Sequence, residues 1–234
     1  MLPAPSDLLP LALLGAVLGL DVVSFPQAML SRPIVAATIA GAFIGEPIAG
    51  LFIGAILELI AIDTLPFGAS RYPEWGSAAV VGGVLFAGRG DGAAVPGAGP
   101  LLVALAATLL TAWVGGISMV WLRRLNARLA RQRAPALDAG SGRTVVGLQL
   151  LGMTADLVRG GLLTLVALAA LQPLATLVLA RWSLPDAIAR ATVIGAAAAV
   201  AASAAWKLFH AVPRAHLLFV GGLAVGSLLL LALR

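Results

Sequence analysis

The sequence predicts an all-α integral membrane protein: one multi-span helical domain in which several helices are short, broken or re-entrant. Three observations lead there. Of the 234 residues, 61% are hydrophobic and 11% charged, whereas a soluble domain carries roughly 45–50% apolar and about 25% charged residues. A water-soluble core of this size cannot hide that excess, so part of it must face lipid. Apolar runs also follow one another along the whole chain, some near the ~20 residues a crossing needs and others well below it. Finally, charge is polarised along the chain. Residues 1–100 carry a net −4 and residues 101–234 a net +9, giving +5 overall, with the basic residues at segment borders, as membrane proteins record orientation.

These properties exclude a soluble enzyme, a disordered chain and a nucleic-acid binder, which would need a solvated basic face. Cysteine is absent, so disulfides, thiolate metal sites and cysteine nucleophiles are excluded. No cofactor and no metal centre are expected. The first residues, MLPAPSDLL, contain no basic residue before the apolar stretch, so a cleaved signal peptide is not expected. At roughly 30 residues per span and loop, at most seven or eight crossings fit.

The first apolar run is Leu8 to Phe25, with Asp21 near its end. Two short arms follow, 33–44 and 47–62. At 1.5 Å per residue they reach only about 18 and 24 Å, short of a hydrocarbon core of roughly 30 Å. Each opens with proline, which suits the first turn of a helix, and Gly45-Glu46 separates them. This pattern predicts a re-entrant hairpin or a broken helix, which persists at membrane depth only inside protein or beside a wet cavity. Residues 63–76, DTLPFGASRYPEWG, read as a polar turn. A short run, 77–87, and the glycine-rich loop GRGDGAAVPGAGP come next. That loop lacks the ending of a phosphate-binding loop and reads as a connection.

Leu101 to Leu122 is the clearest full span. Beyond it, LRRLNARLARQR places leucines on one face and arginines on the other, predicting an interfacial amphipathic helix. Six arginines and one aspartate lie in 123–143, so this basic amphipathic loop is expected in the cytoplasm. The stretch 144–180 is too long for one crossing, with Gly160-Gly161 and Pro173 as expected joints. The loop RWSLPDAIAR leads to an alanine-rich run, 191–206, and then a last run, 217–233. Trp121, Trp182 and Trp206 each lie close to a basic residue, as in an aromatic belt at the membrane boundary.

The chemistry concentrates in the short arms. Gly50, Gly54 and Glu58 recur every four residues, and Gly41 and Gly45 repeat that spacing. On a helix such residues share a face, and glycines there let another helix approach closely. Glu58 therefore points into protein or a cavity, where an acid costs at least about 2.5 kcal/mol and needs a partner. Asp21, Glu46, Asp63 and Glu74 add carboxylates, against Arg32 and Arg71. Surplus carboxylates suit the hydroxyl donors of sugars, and equally protons or sodium ions. The competing reading is structural, with Glu58 paired to Arg32 or Arg71 to fix helix packing. Asp156 and Arg159, three apart on one helix face, are expected to neutralise each other. His210 and His216 read as interfacial residues. No serine–histidine or metal-ligand spacing marks an intramembrane enzyme.

The block SRPIVAATIAGAFIGEPIAGLFIGAILELIAIDTLPFGASRYPEWG resembles the membrane subunit IIC of the mannose–fructose–sorbose family of the sugar phosphotransferase system. The likeness rests on Arg32-Pro33, Gly41, Gly45 followed by an acid, Gly50, Gly54, the Glu58 of ELIA, Gly68 and Pro73-Glu74. It is strongest over 31–76 and implies one IIC-type permease domain over 1–234. Two departures stand out: the family usually has aspartate where this chain has Glu46, and ASRYPEWG is more charged and aromatic than usual. The resemblance implies a sugar-conducting subunit in the plasma membrane, not itself an enzyme. Its implied partners are a homologous IID membrane subunit, in a trimeric assembly, and cytosolic IIA and IIB phosphocarriers. Glu58 carries over as a sugar-contacting or site-organising acid, with Asp63, Glu74 and Arg32 as further substrate-binding residues. Two alternatives stay open: an ion-coupled or facilitative transporter without phosphoryl transfer, and a non-transporting membrane scaffold or sensor.

Overall fold

The first apolar run stops early. Helix α1 covers Leu8–Leu20, and Asp21 turns the chain by accepting hydrogen bonds from the backbone N–H groups of Ala28 (2.7 Å) and Ser31 (2.9 Å). These coordinates, a computed structural model, describe residues 7–22, 24–62, 64, 72–90, 96–209 and 212–232.

The two short arms form the expected hairpin. Helices α2 (Pro33–Phe43) and α3 (Pro47–Ala61) both place proline in the first turn, where a missing N–H costs nothing. Gly45, with φ +86°, supplies the left-handed residue that ends α2. The pair packs backbone to backbone: a Cβ on Gly50 would lie 2.4 Å from the Ala37 carbonyl oxygen, and one on Gly54 2.9 Å from the Ile34 Cα. The four-residue glycine spacing is thus the contact surface of the hairpin.

Helix α4 (Trp75–Ala87) is buried along its whole length. It packs against α1, α2, α3, α5 and α7, and at about 20 Å it is too short to cross a bilayer alone. Protein on all sides makes so short a helix tolerable at membrane depth.

Two long helices frame this core. Helix α5 covers Ala98–Gln132 and α7 covers Gly142–Ala180, joined by the short α6 (Ala134–Asp138). At about 52 and 58 Å they exceed even the ~40–45 Å of a bilayer with its headgroups. The first part of the region expected as a separate interfacial helix and loop, residues 123–132, is therefore the continuation of α5, and only 133–141, with the short α6, connects to α7. No proline or glycine interrupts its leucine–arginine–alanine sequence before Pro135. Nor is 144–180 jointed. Gly160 lies against α1, its Cβ position 3.3 Å from the Ala16 Cα, so these glycines serve close approach. Pro173 sits inside the helix.

Helix α8 (Asp186–Phe209) starts five residues before the expected run, directly after Pro185, and packs on α3 and α5. Helix α9 (Ala215–Ala232) meets α8 through an edge-on contact of Phe219 with Trp206 and leaves most of its apolar surface exposed. By length and composition three described helices suit a full crossing: α5, α7 and residues 186–206 of α8. No strand occurs among the described residues.

Candidate substrate site

Antiparallel packing of α2 and α3 brings the start of one against the end of the other. Arg32, just before α2, and Glu58, in the last turn of α3, therefore meet as an ion pair. The second carboxylate oxygen of Glu58 accepts a hydrogen bond from the Ile34 N–H (3.2 Å), one of the orphan donors of a helix start. Of the two partners Glu58 is the more enclosed, its side chain 15% exposed against 38% for Arg32. The pair closes the open end of the hairpin, as the structural reading of Glu58 expects.

Beside it lies a cavity of about 230 Å³ lined by Asp21, Met29, Arg32, Thr64, Tyr72 and Trp75, among others. Glu58 does not line it. The volume falls below the roughly 300 Å³ at which drug-sized ligand pockets begin, so it suits a small guest. The walls combine two aromatic rings with a guanidinium. Trp75 is held by its indole N–H, which donates to the Thr64 hydroxyl (2.9 Å). Part of the rim is strained: Gln27 and Met29, both lining residues, have φ near +60°. Such backbone in a non-glycine residue persists only where its surroundings enforce it, and the Asp21 carboxylate grips Ala28 and Ser31 on either side of Met29.

Glu74 points elsewhere. It is fully buried, caps α4 by accepting from the Ser77 N–H (3.1 Å), and donates its own N–H to the Ala112 carbonyl (3.0 Å). Its neighbours Pro73 and Trp75 line the cavity, while its carboxylate faces a polar cluster at the junction of α1, α5 and α7. There Arg159 binds Asp156 (2.9 Å) and donates to the Ser118 hydroxyl (3.1 Å). Ser24 donates to the other Asp156 oxygen (3.0 Å). Asp156 and Arg159 thus pair within α7, as their spacing predicts, and they also tie α7 to α5 and to the turn after α1. Asp63, Arg71 and His210 lie outside the described residues. His216 is exposed at the start of α9, and no metal-binding cluster occurs among the described residues.

Sequence reasoning missed the roles of Asp21, Tyr72 and Trp75. The aromatic departure in ASRYPEWG was the available signal, because it supplies both rings of the cavity wall. The Ser24 and Ser118 contacts depend on helices far apart in sequence and left no local trace.

An all-helical protein with a broken hairpin and, at its mouth, a largely apolar cavity edged by Asp21 and Arg32 has the build of a multi-pass membrane protein. More narrowly, the family described as the sorbose-specific IIC component of the phosphotransferase system matches residues 7–139. The chain belongs to this family of membrane transport components and is a multi-pass protein of the plasma membrane. A sorbose-specific EIIC component from Klebsiella pneumoniae is 28% identical over 107 residues, an alignment spanning 46% of this chain and 40% of that relative. The match therefore covers less than half the length of the curated relative. Two solved structures share the fold. One, described as a membrane protein, has a TM-score of 0.73 at 14% identity, covering 96% of this chain and 87% of its own. The other, the mannose transporter ManYZ in complex with a microcin (MceA), has a TM-score of 0.61 at 15% identity, covering 97% and 88%.

Proposed function

We propose that this chain is the sugar-conducting subunit of a phosphoenolpyruvate-dependent phosphotransferase system and passes a hexose to partners that phosphorylate it. The observation that carries the reading is the cavity at the mouth of the α2–α3 hairpin, where aromatic faces and a guanidinium line a space of monosaccharide scale. Sugars present apolar ring faces and a row of hydroxyls, so they are matched by stacking rings together with fixed donors and acceptors. In this assignment Arg32 contacts the sugar and Glu58 holds Arg32 in place. Asp63, next in sequence to the cavity-lining Thr64, belongs to the rim, and Glu74 positions Trp75 by capping α4.

Association with a IID-type membrane subunit, which the matching family and the ManYZ fold support, completes the reading. We infer with it a trimeric assembly and cytosolic IIA and IIB proteins as the source of the phosphoryl group. Phosphorylation would trap the sugar, because a dianionic ester cannot recross hydrocarbon.

The test is uptake of radiolabelled L-sorbose, D-mannose and D-fructose by vesicles carrying this chain with its IID, IIA and IIB partners. Sugar phosphate inside the vesicle, reduced strongly by Arg32→Gln and less by Glu58→Gln, is the expected result. Free sugar as the sole product contradicts group translocation, and uptake unchanged in Arg32→Gln removes that residue from the site.

A further inference from the structure

The first cavity and the basic end of α5 meet at a single stacked pair of side chains. Tyr72 lines that cavity, and the guanidinium of Arg123 lies over its ring, 4.9 Å from the centroid. Arg123 in turn lines a second cavity of about 520 Å³, a wedge between the C-terminal half of α5 and the N-terminal half of α7. Ser24 and Asp156, joined by their 3.0 Å hydrogen bond, line the same wedge. Val22, two residues before Ser24, lines the first cavity. The two spaces therefore share a partition made of the Tyr72–Arg123 stack and the Ser24–Asp156 bond.

The wedge has the chemistry of a neutral, hydroxyl-rich guest. Asn126 from α5 and Gln149 from α7 contribute amides, and Ser24 contributes a hydroxyl, so both donors and acceptors are on offer. Of its two charged lining residues, Asp156 is neutralised by Arg159 and Arg123 stacks on Tyr72. Aliphatic groups such as Leu122 and Met153 complete the walls. Within the partition, the Tyr72 hydroxyl is buried and its polar neighbour is the Arg123 guanidinium.

We propose that the α5–α7 wedge is a second, inner binding station on the sugar path, and that the Tyr72–Arg123 stack is the movable barrier between the two stations. The proposal rests on the sugar-conducting reading above and adds a site and a route to it. Gly116 brings Tyr72 to α5, its Cβ position 2.5 Å from the Tyr72 carbonyl oxygen. Seven residues, about 10.5 Å of helix, separate Gly116 from Arg123. Swinging the Tyr72 ring off Arg123 would join the cavities without moving either long helix.

Because the chain has no cysteine, single introduced thiols report cleanly on both stations. Asn126→Cys and Gln149→Cys in the wedge, Ser31→Cys in the first cavity and Leu150→Cys on the exposed surface of α7 would each be made in the full transporter. Vesicles of both orientations would be treated with a membrane-impermeant methanethiosulfonate, with and without L-sorbose, D-mannose or D-fructose. From the basic side, the reagent should label Asn126→Cys and Gln149→Cys. A transported sugar should slow that labelling several-fold, and it should leave Leu150→Cys unaffected. The reagent should reach Ser31→Cys from that side only when Tyr72→Ala is added, with Tyr72→Phe keeping the barrier.

Wedge thiols whose labelling ignores every sugar, in vesicles that still take sugar up, overturn the inner station. Ser31→Cys labelled equally with and without the Tyr72 ring overturns the barrier. Vesicles of the unaltered transporter that take up none of the three sugars overturn the functional reading and the station together, while the Ser31→Cys comparison still judges the barrier by itself.

Discussion

Two antiparallel helical hairpins of the molecule, α2–α3 and α5–α7, are built on opposite principles. In α2–α3 the helices are short and meet through glycine, and the hairpin mouth is closed by the Arg32–Glu58 pair. In α5–α7 the helices are long, and beyond the apolar span they enclose a mixed polar and aliphatic wedge with arginines along α5. The first has no room for a side chain at its seam; the second has room for a guest. A sequence shows this difference as glycine spacing on one side and arginine clustering on the other. The structural consequence is a tight element beside the first cavity and a looser one beside the second.

A large effect should come from filling the tight seam. Gly50→Leu would drive its side chain into the Ala37 backbone, and an overpacked core typically loses about 1–3 kcal/mol or more. Gly147→Leu on α7 has nothing within 4 Å of its Cβ position and should stay within about 0.5 kcal/mol. Thermal unfolding of the detergent-solubilised protein compares them, and equal losses would erase the contrast between the hairpins.

Larger still is the effect expected at the buried pair that ties α7 to its neighbours. Asp156 is 1% exposed and Arg159 9%, and stranding one buried charge costs about 3–5 kcal/mol. Asp156→Asn or Arg159→Gln should each destabilise strongly, and the double variant should lose clearly less than the two losses summed. Additive losses would mean that the pair does not act as a unit. The half-exposed Arg32–Glu58 pair should show a much smaller coupling in the same cycle, about 1 kcal/mol or less. His216→Ala, exposed on α9, should change neither stability nor uptake.

Much of this was legible in the sequence, for identifiable reasons. Composition fixes the lipid environment, and two proline-led arms too short to span oblige a hairpin. The Asp156–Arg159 spacing of three forces a contact within one helix. What escaped depends on length and distance. Helices α5 and α7 run on where an interfacial loop and joints were expected, because glycine and proline mark close approach or a tolerated irregularity as readily as a break. Glu58 was legible as a buried acid needing a partner, yet the sequence could not choose between Arg32 and Arg71. Tyr72 and Trp75 became cavity walls only because α4 is enclosed by five other helices.

The central claim is that a sugar sits in the cavity at the hairpin mouth, touching Arg32 and not Glu58. Initial rates of L-sorbose and D-mannose uptake by Arg32→Gln and Glu58→Gln, measured across sugar concentration, test it most directly. Loss of a charged hydrogen bond worth about 1.5–3 kcal/mol should raise the apparent KM of Arg32→Gln by about tenfold or more. Glu58→Gln, which keeps the guanidinium but loosens it, should show a smaller rise. A KM untouched by Arg32→Gln, or raised more by Glu58→Gln, would contradict the account.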